Sequence, residues 1–349
     1  ATVSNGIERN HYIDLVREAL FDFGKVENID AINAEIKANE NLIDEERSKP
    51  LTSRDRRKIR ELDVRNDMLL ASLSKEKDMS SILKEDIAGS ALYQKIKKLG
   101  VNPNGCDVKV QKVDGRPWYD IDETNINDRD KLSRQVSDQE SDNIFKKVYG
   151  QLFSGNYYGI ESSGMGYVSI SKMMDDDHID NTLRDYGFGN ISNVRIKEII
   201  DSTARILGEK HRHKQSDFDP RPSGTSRMGR YLNKVCEKLE TPVSRQVQKS
   251  FRECIYTIIC TSHHQGLIID PQYSKIVFSD NEDKAYICPR CGRVHMHHSA
   301  DVCTFCGESL RDRNGQYKEK KVIDIWKNHY LLQGILDNRP PHKLHCEEM

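Results

Sequence analysis

Two Cys-x-x-Cys pairs, Cys288/Cys291 and Cys303/Cys306, stand eleven residues apart in the run CPRCGRVHMHHSADVCTFC. No other feature constrains the fold so tightly. Each pair makes a knuckle that aims two thiolates at one point, and a glycine follows the second sulfur in both, Gly292 and Gly307. Two such knuckles close a tetrahedral four-thiolate site, which suits Zn2+. Four thiolates leave no position for a catalytic water, so the expected zinc is structural and its binding energy contributes to folding. With KAYIC (284–288) as a preceding strand and RVHMHH (293–298) after the first knuckle, the pattern is that of a zinc ribbon over 281–312. His295, His297 and His298 are then surface or neighbouring groups rather than ligands, and Arg293 and His295 are candidates to face nucleic acid.

The remaining cysteines, Cys106, Cys236, Cys254, Cys260 and Cys346, are scattered. An odd total of nine with one tight cluster points to a reducing, cytoplasmic setting rather than a disulfide framework. No run of 18 apolar residues is present, so no membrane partner is expected.

The chain of 349 residues suggests two or three domains. Its pattern predicts a mainly α fold with small β elements (α+β). Residues 1–90 read as a charged helical arm or hairpin, with a break at Lys49-Pro50, because proline disfavours helix in the residue before it. Residues 91–190 read as a mixed α/β connecting region, with a hairpin around Asp114-Gly115. The five glycines of 150–170 match no phosphate-loop spacing and read as turns before a short strand. The run DDDH (175–178) lacks both the apolar strand and the phosphate loop of a nucleotide site and reads as an exposed acidic loop. His263-His264 reads as a helix C-terminus.

Residues 191–280 carry a winged-helix order. NVRIKEIIDSTARIL (193–207) is a strong helix pattern, SRMGRYLNKVCEKL (226–239) a second, and a third runs roughly over 243–260, with Thr241 as its expected cap and Pro242 at its first position. GLIID (266–270) and KIVFS (275–279) then read as the wing. From Arg205 to Arg252 twelve Lys/Arg face five acids, an excess of seven positive charges. Arg227, Arg230, Lys234, Arg245, Lys249 and Arg252 are the candidate phosphate contacts. The same arrangement also suits an ordinary solvated amphipathic helix pair. Residues 313–349 read as a helix that leads out of the ribbon.

CPRCGRVHMHHSADVCTFCGESL together with RPPHKLHCEEM near the C-terminus resembles the central part of large bacterial DEAD/DEAH-box helicases (superfamily two) of phage-defence systems, the DISARM and Druantia kind. Cys288, Cys291, Arg293, His295, Cys303 and Cys306 match the ribbon of that group, and Leu344, His345, Cys346, Glu347 and Glu348 match the stretch that precedes its second RecA-like lobe. LGVNPNG (99–105) and the run from Glu161 to Gly166 are similar to its connecting segments. The resemblance implies a DNA-binding accessory region, a fragment or a split subunit, of an ATP-dependent helicase or translocase in anti-phage defence. Its partners would be DNA, the helicase motor lobes and other defence-system subunits. No Walker A, DEAH box or later helicase motif is present, so ATP and Mg2+ are implied only through motor lobes elsewhere, and no catalytic residue is assigned. The alternative is a free-standing zinc-ribbon adaptor that binds protein through the charged arm.

Overall fold

The computed structural model describes residues 9–25, 28–50, 53–79, 112–113, 116–117, 148–154, 159–213, 226–239, 243–261, 267–329 and 332. The described chain is mainly helical with small antiparallel sheets. The segment 99–105, the polar stretch 122–142, His263, His264 and the C-terminal match 344–348 lie outside the described residues.

Helix α1 (Arg9–Gly24) precedes the arm, which consists of α2 (Ile29–Ser48) and α3 (Arg56–Leu73) packed against each other. Lys49, before Pro50, is extended at ψ 154, and Asp55 caps α3 by accepting from the N–H groups of Arg57 and Lys58 at 3.0 Å each. The seam between the two helices is thin: Ile43 and Leu69 are its buried apolar residues. Asn39 and Asn66 are also buried there and share a hydrogen bond of 2.8 Å. A buried amide pair is satisfied in only one register, so it fixes how the two helices slide past each other.

Beyond the arm, β1 (Glu76–Asp78) pairs antiparallel with β5 (Lys275–Phe278), whose other edge takes β4 (Gly166–Ser169). Gly166 sits at φ +152, and a Cβ there would lie 2.2 Å from the Val277 carbonyl oxygen, so the close approach of β4 to β5 requires glycine. The wing expected from sequence therefore takes another form. Residues 275–278 pair with two distant strands, while Ile269 forms a parallel bridge to His213. The expected hairpin at Asp114-Gly115 is present, as β2 (Lys112–Val113) paired with β3 (Arg116–Pro117).

Four helices carry the middle of the chain: α4 (Asp176–Asp185), α5 (Asn193–Glu209), α6 (Ser226–Leu239) and α7 (Arg245–Thr261). The DDDH run is the start of α4 rather than a loop. Asp175 accepts from the Asp177 N–H at 3.2 Å, and Asp176 and Asp177 stand in the first turn, where negative charge is favourable. Helix α7 begins at Arg245, and the Ser244 hydroxyl accepts from the Val247 N–H at 3.2 Å, while Thr241 and Pro242 lie outside the described residues.

Every residue of α5 from Ile199 to Gly208 is buried, which marks it as the central helix. Two of its buried polar side chains are tied to backbone: Thr203 donates to the Ile199 carbonyl at 2.7 Å, and Asp201 accepts from the N–H groups of Ile170 and Ser171 at 3.0 and 2.9 Å. One apolar core gathers around it, with Val16, Leu20 and Phe21 of α1, Met228, Tyr231 and Leu232 of α6, Phe251 and Ile255 of α7, and Trp326 of α8 (Val322–Asn328). Phe21 meets Trp326 edge to face at 5.0 Å between centroids, so α1 and α8 close on each other. Among the described residues no helix is long and apolar enough to cross a membrane.

Candidate metal centre and basic face

The ribbon is a three-stranded antiparallel sheet in the order β7 (Val294–His295), β6 (Lys284–Ile287), β8 (Glu319–Lys321). Its knuckles follow from local backbone bonds. The Gly292 N–H donates to the Cys288 carbonyl at 2.9 Å and the Gly307 N–H to the Cys303 carbonyl at 3.0 Å. Both glycines are left-handed, at φ +74 and +76, which turns the chain so that the paired sulfurs converge.

The four sulfurs lie within 4.8 Å of one another, with Cys288–Cys306 and Cys291–Cys303 at 3.6 Å. A tetrahedral site with metal–sulfur bonds of about 2.3 Å has sulfur–sulfur edges of roughly 3.8 Å. The cluster thus has the size and donor set to hold one metal ion. The neighbouring histidines do not enter it, as the spacing of the cysteines implied.

The ribbon docks on α5 and α6. Ser299, Ala300 and Asp301 are consecutive non-glycine residues in the left-handed region, at φ 51, 50 and 67. Each such residue costs on the order of 1 kcal/mol, so the turn needs external ties. Ser299 shares a 2.6 Å hydrogen bond with Ser202 and accepts from the Tyr231 hydroxyl at 3.1 Å; the Ala300 N–H donates to Glu198 at 3.1 Å; Asp301 pairs with Arg195 at 3.2 Å.

Behind the knuckles lies a buried ion network, of which only the i, i+4 spacing of Arg205 and Glu209 shows in the sequence. Arg205 on α5 pairs with Glu161 at 2.6 Å and Glu209 at 3.0 Å, and donates to the Val294 carbonyl at 3.0 Å. Glu209 also receives Arg227 from α6 and Arg293 from the ribbon. Burial is the largest influence on Arg205, Arg227 and Arg293 and lowers all three below the ordinary guanidinium range, while the Cys303 sulfur favours their charge. Burial likewise raises Glu161, against the pull of Arg205. Three cations against two carboxylates leave one positive charge beside the cysteine cluster.

This network reassigns three of the candidate DNA contacts. Arg227 and Arg293 have side chains only 12% and 9% exposed, and His295 is fully buried. The His295 Nδ1 accepts from Arg205 at 3.3 Å, so the ring is neutral, and burial followed by Arg205 holds it well below the usual imidazole range. These residues fasten the ribbon to the helices and do not face solvent. The other candidates remain on the surface. Arg230 and Arg245 are exposed and, among the described residues, have no acidic partner. Lys234 is exposed beside Glu237 at 2.8 Å, and Lys249 beside Glu253 at 3.7 Å. Arg252 is half-buried and donates to Asn233, and Gln248 donates to Glu237 at 3.1 Å, so α6 and α7 present one continuous face.

A pH dependence follows from His297. Burial, then Arg205 and His298, lower it to about 4 from 6.5. Its folded pKa is depressed, so the unfolded chain takes up a proton first, and stability present above pH 6.5 is lost as pH falls toward 4. Between pH 7.5 and 5 the wild type should lose on the order of 1–2 kcal/mol more than a His297→Asn chain in denaturant titrations. Parallel pH profiles for the two chains would contradict the assignment.

No known protein family, no curated protein and no solved structure matches this chain.

Proposed function

We propose that this chain is a DNA-binding accessory region of an ATP-dependent helicase or translocase. In this reading the cysteine cluster holds a structural Zn2+, and ATP and Mg2+ act in motor lobes outside these residues. Cys288, Cys291, Cys303 and Cys306 supply the thiolates, and the zinc contributes folding energy rather than chemistry. The observation that carries the proposal is the basic face of α6 and α7, where Arg230 and Arg245 stand exposed, without acidic partners among the described residues, next to Lys234 and Lys249. A face of that kind exchanges counterions for phosphates. The motor lobes and other subunits of a cytoplasmic anti-phage defence system are the partners that the ribbon's resemblance supports.

The test neutralises the face without touching the core. A chain carrying Arg230→Gln, Arg245→Gln and Lys249→Gln should bind DNA more weakly, and its slope of log affinity against log salt should shrink by about 2–3. An unchanged slope would sink the proposal.

A second reading has an observation of its own. Val64, Met68 and Leu70 on α3 are 53%, 62% and 54% exposed, which suits an arm that docks on protein. A wild-type chain that binds a motor subunit but shows no salt-dependent affinity for DNA would favour this adaptor role.

A further inference from the structure

Phe305 lies between the two cysteines of the second knuckle and is 51% exposed, more than any other aromatic residue among the exposed large side chains described. Its position is tied to the cysteine cluster, because its backbone N–H donates to the Cys303 sulfur at 3.5 Å. The guanidinium carbons of Arg227 and Arg293 stand 5.7 and 5.4 Å from its ring centroid. Both arginines are held by Glu209 and are themselves largely buried. Two fixed cations therefore stand against the ring, and about half of the residue's surface is open to water. The Arg230 Cδ comes within 3.6 Å of where a Cβ on Gly307 would lie, so an exposed cation with no acidic partner among the described residues stands at the same knuckle, near the residue two positions after Phe305.

We infer that Phe305 is a stacking platform for one unpaired base of a single-stranded nucleic acid, with Arg230 taking an adjacent phosphate. The inference rests on the DNA-binding reading above and gives it a substrate class. Aromatic rings stack on any base, since every base offers a π face, and a base inside a duplex is not accessible to such a ring. The two arginines behind Phe305 draw on its π density and complement an electron-rich base on the open side. The ring is already fixed by the knuckle, so little side-chain freedom is lost on binding. The charge of Arg230, exposed and without an acidic partner among the described residues, favours a polyanion over an apolar protein surface.

The experiment uses the full metal-loaded chain, a short deoxyadenosine oligomer and a blunt duplex. Phe305→Ala should weaken binding to the oligomer between about fivefold and a hundredfold, with duplex affinity within about twofold of wild type. Phe305→Trp should keep its oligomer affinity, and its added emission, taken against the wild type, should be quenched by the oligomer. Metal content is measured for each variant; if Phe305→Ala loses metal, Phe305→Leu and Phe305→Trp decide. Wild-type oligomer affinity in a metal-loaded Phe305→Ala or Phe305→Leu chain, equal losses on oligomer and duplex, or an unquenched tryptophan would each overturn the inference. A wild type that binds both DNAs with salt dependence but ignores Phe305 refutes only the platform. A wild type that binds neither refutes the DNA-binding reading with it.

Discussion

Replacing Cys303 with serine is expected to abolish metal binding and unfold the ribbon while the helical core stays folded. The ribbon has almost no apolar interior of its own: Cys288, Cys303 and Leu310 are its buried cluster, with Cys306 and Tyr317 packed against it. Three short strands around so small a cluster cannot offset their own ordering entropy. A structural zinc contributes an apparent 10–16 kcal/mol or so in small zinc domains, far more than those contacts supply. The main core is far larger, running from α1 through α7 to α8, and takes only Ala300 and Val302 from the ribbon as buried members. Hydrogen exchange should therefore lose protection at the amides of Cys288, Gly292, Cys303 and Gly307, which close the knuckles, and keep it in α5 to α7. Metal analysis should fall from about one bound ion per chain to none. A Cys303→Ser chain that retained both its metal and its exchange pattern would refute the assignment of the cluster.

Glu209→Gln is expected to destabilise the chain by about 3–5 kcal/mol, the usual cost of breaking a buried ion pair from one side. Glu209 receives Arg205, Arg227 and Arg293, and its loss leaves three arginines with Glu161 as the remaining carboxylate of the network. The penalty comes from uncompensated buried charge, so adding salt should not relieve it. Glu237→Gln is the control: Glu237 pairs with Lys234 on the surface, and its removal should cost no more than about 1 kcal/mol. Denaturant melts of the two variants at low and high salt make the comparison. A Glu209→Gln melt as mild as that of Glu237→Gln would show that the network carries little of the stability.

The parts of this molecule that were legible in the sequence are those set by neighbours in the chain. The cysteine spacing dictates the cluster, because a knuckle is a local turn. The apolar periodicity of 193–207 and 226–239 matches α5 and α6, and Pro50 marks the break between α2 and α3. What was not legible depends on residues far apart. KIVFS follows GLIID closely enough to suggest a local hairpin, yet β5 pairs with β1 and β4, and no local pattern encodes that choice. Charge counting failed for the same reason: Arg205, Arg212 and Arg227 enter the basic tally as equals of Arg230, but burial withdraws them from the surface. Arg293 and His295 look like displayed groups until Glu209 and Arg205 are seen beneath them. The i, i+4 spacing of Arg205 and Glu209 was a visible hint of a pair, whereas Glu161 stands in no pattern that would join it to them.

The pairing of β1 with β5 also sets an order of events during synthesis. Asp78 opposes Lys275, so the edge strand must wait for roughly two hundred further residues before its partner exists. At 5–20 residues per second that interval is on the order of 10–40 s. Helices α2 and α3 are close in sequence, and their asparagine pair can lock as soon as both have emerged. The arm thus forms as an early free-standing hairpin, and β1 stays unpaired behind it until the sheet closes. Through that window its open backbone edge is a site for chaperones or for mispairing with another nascent chain.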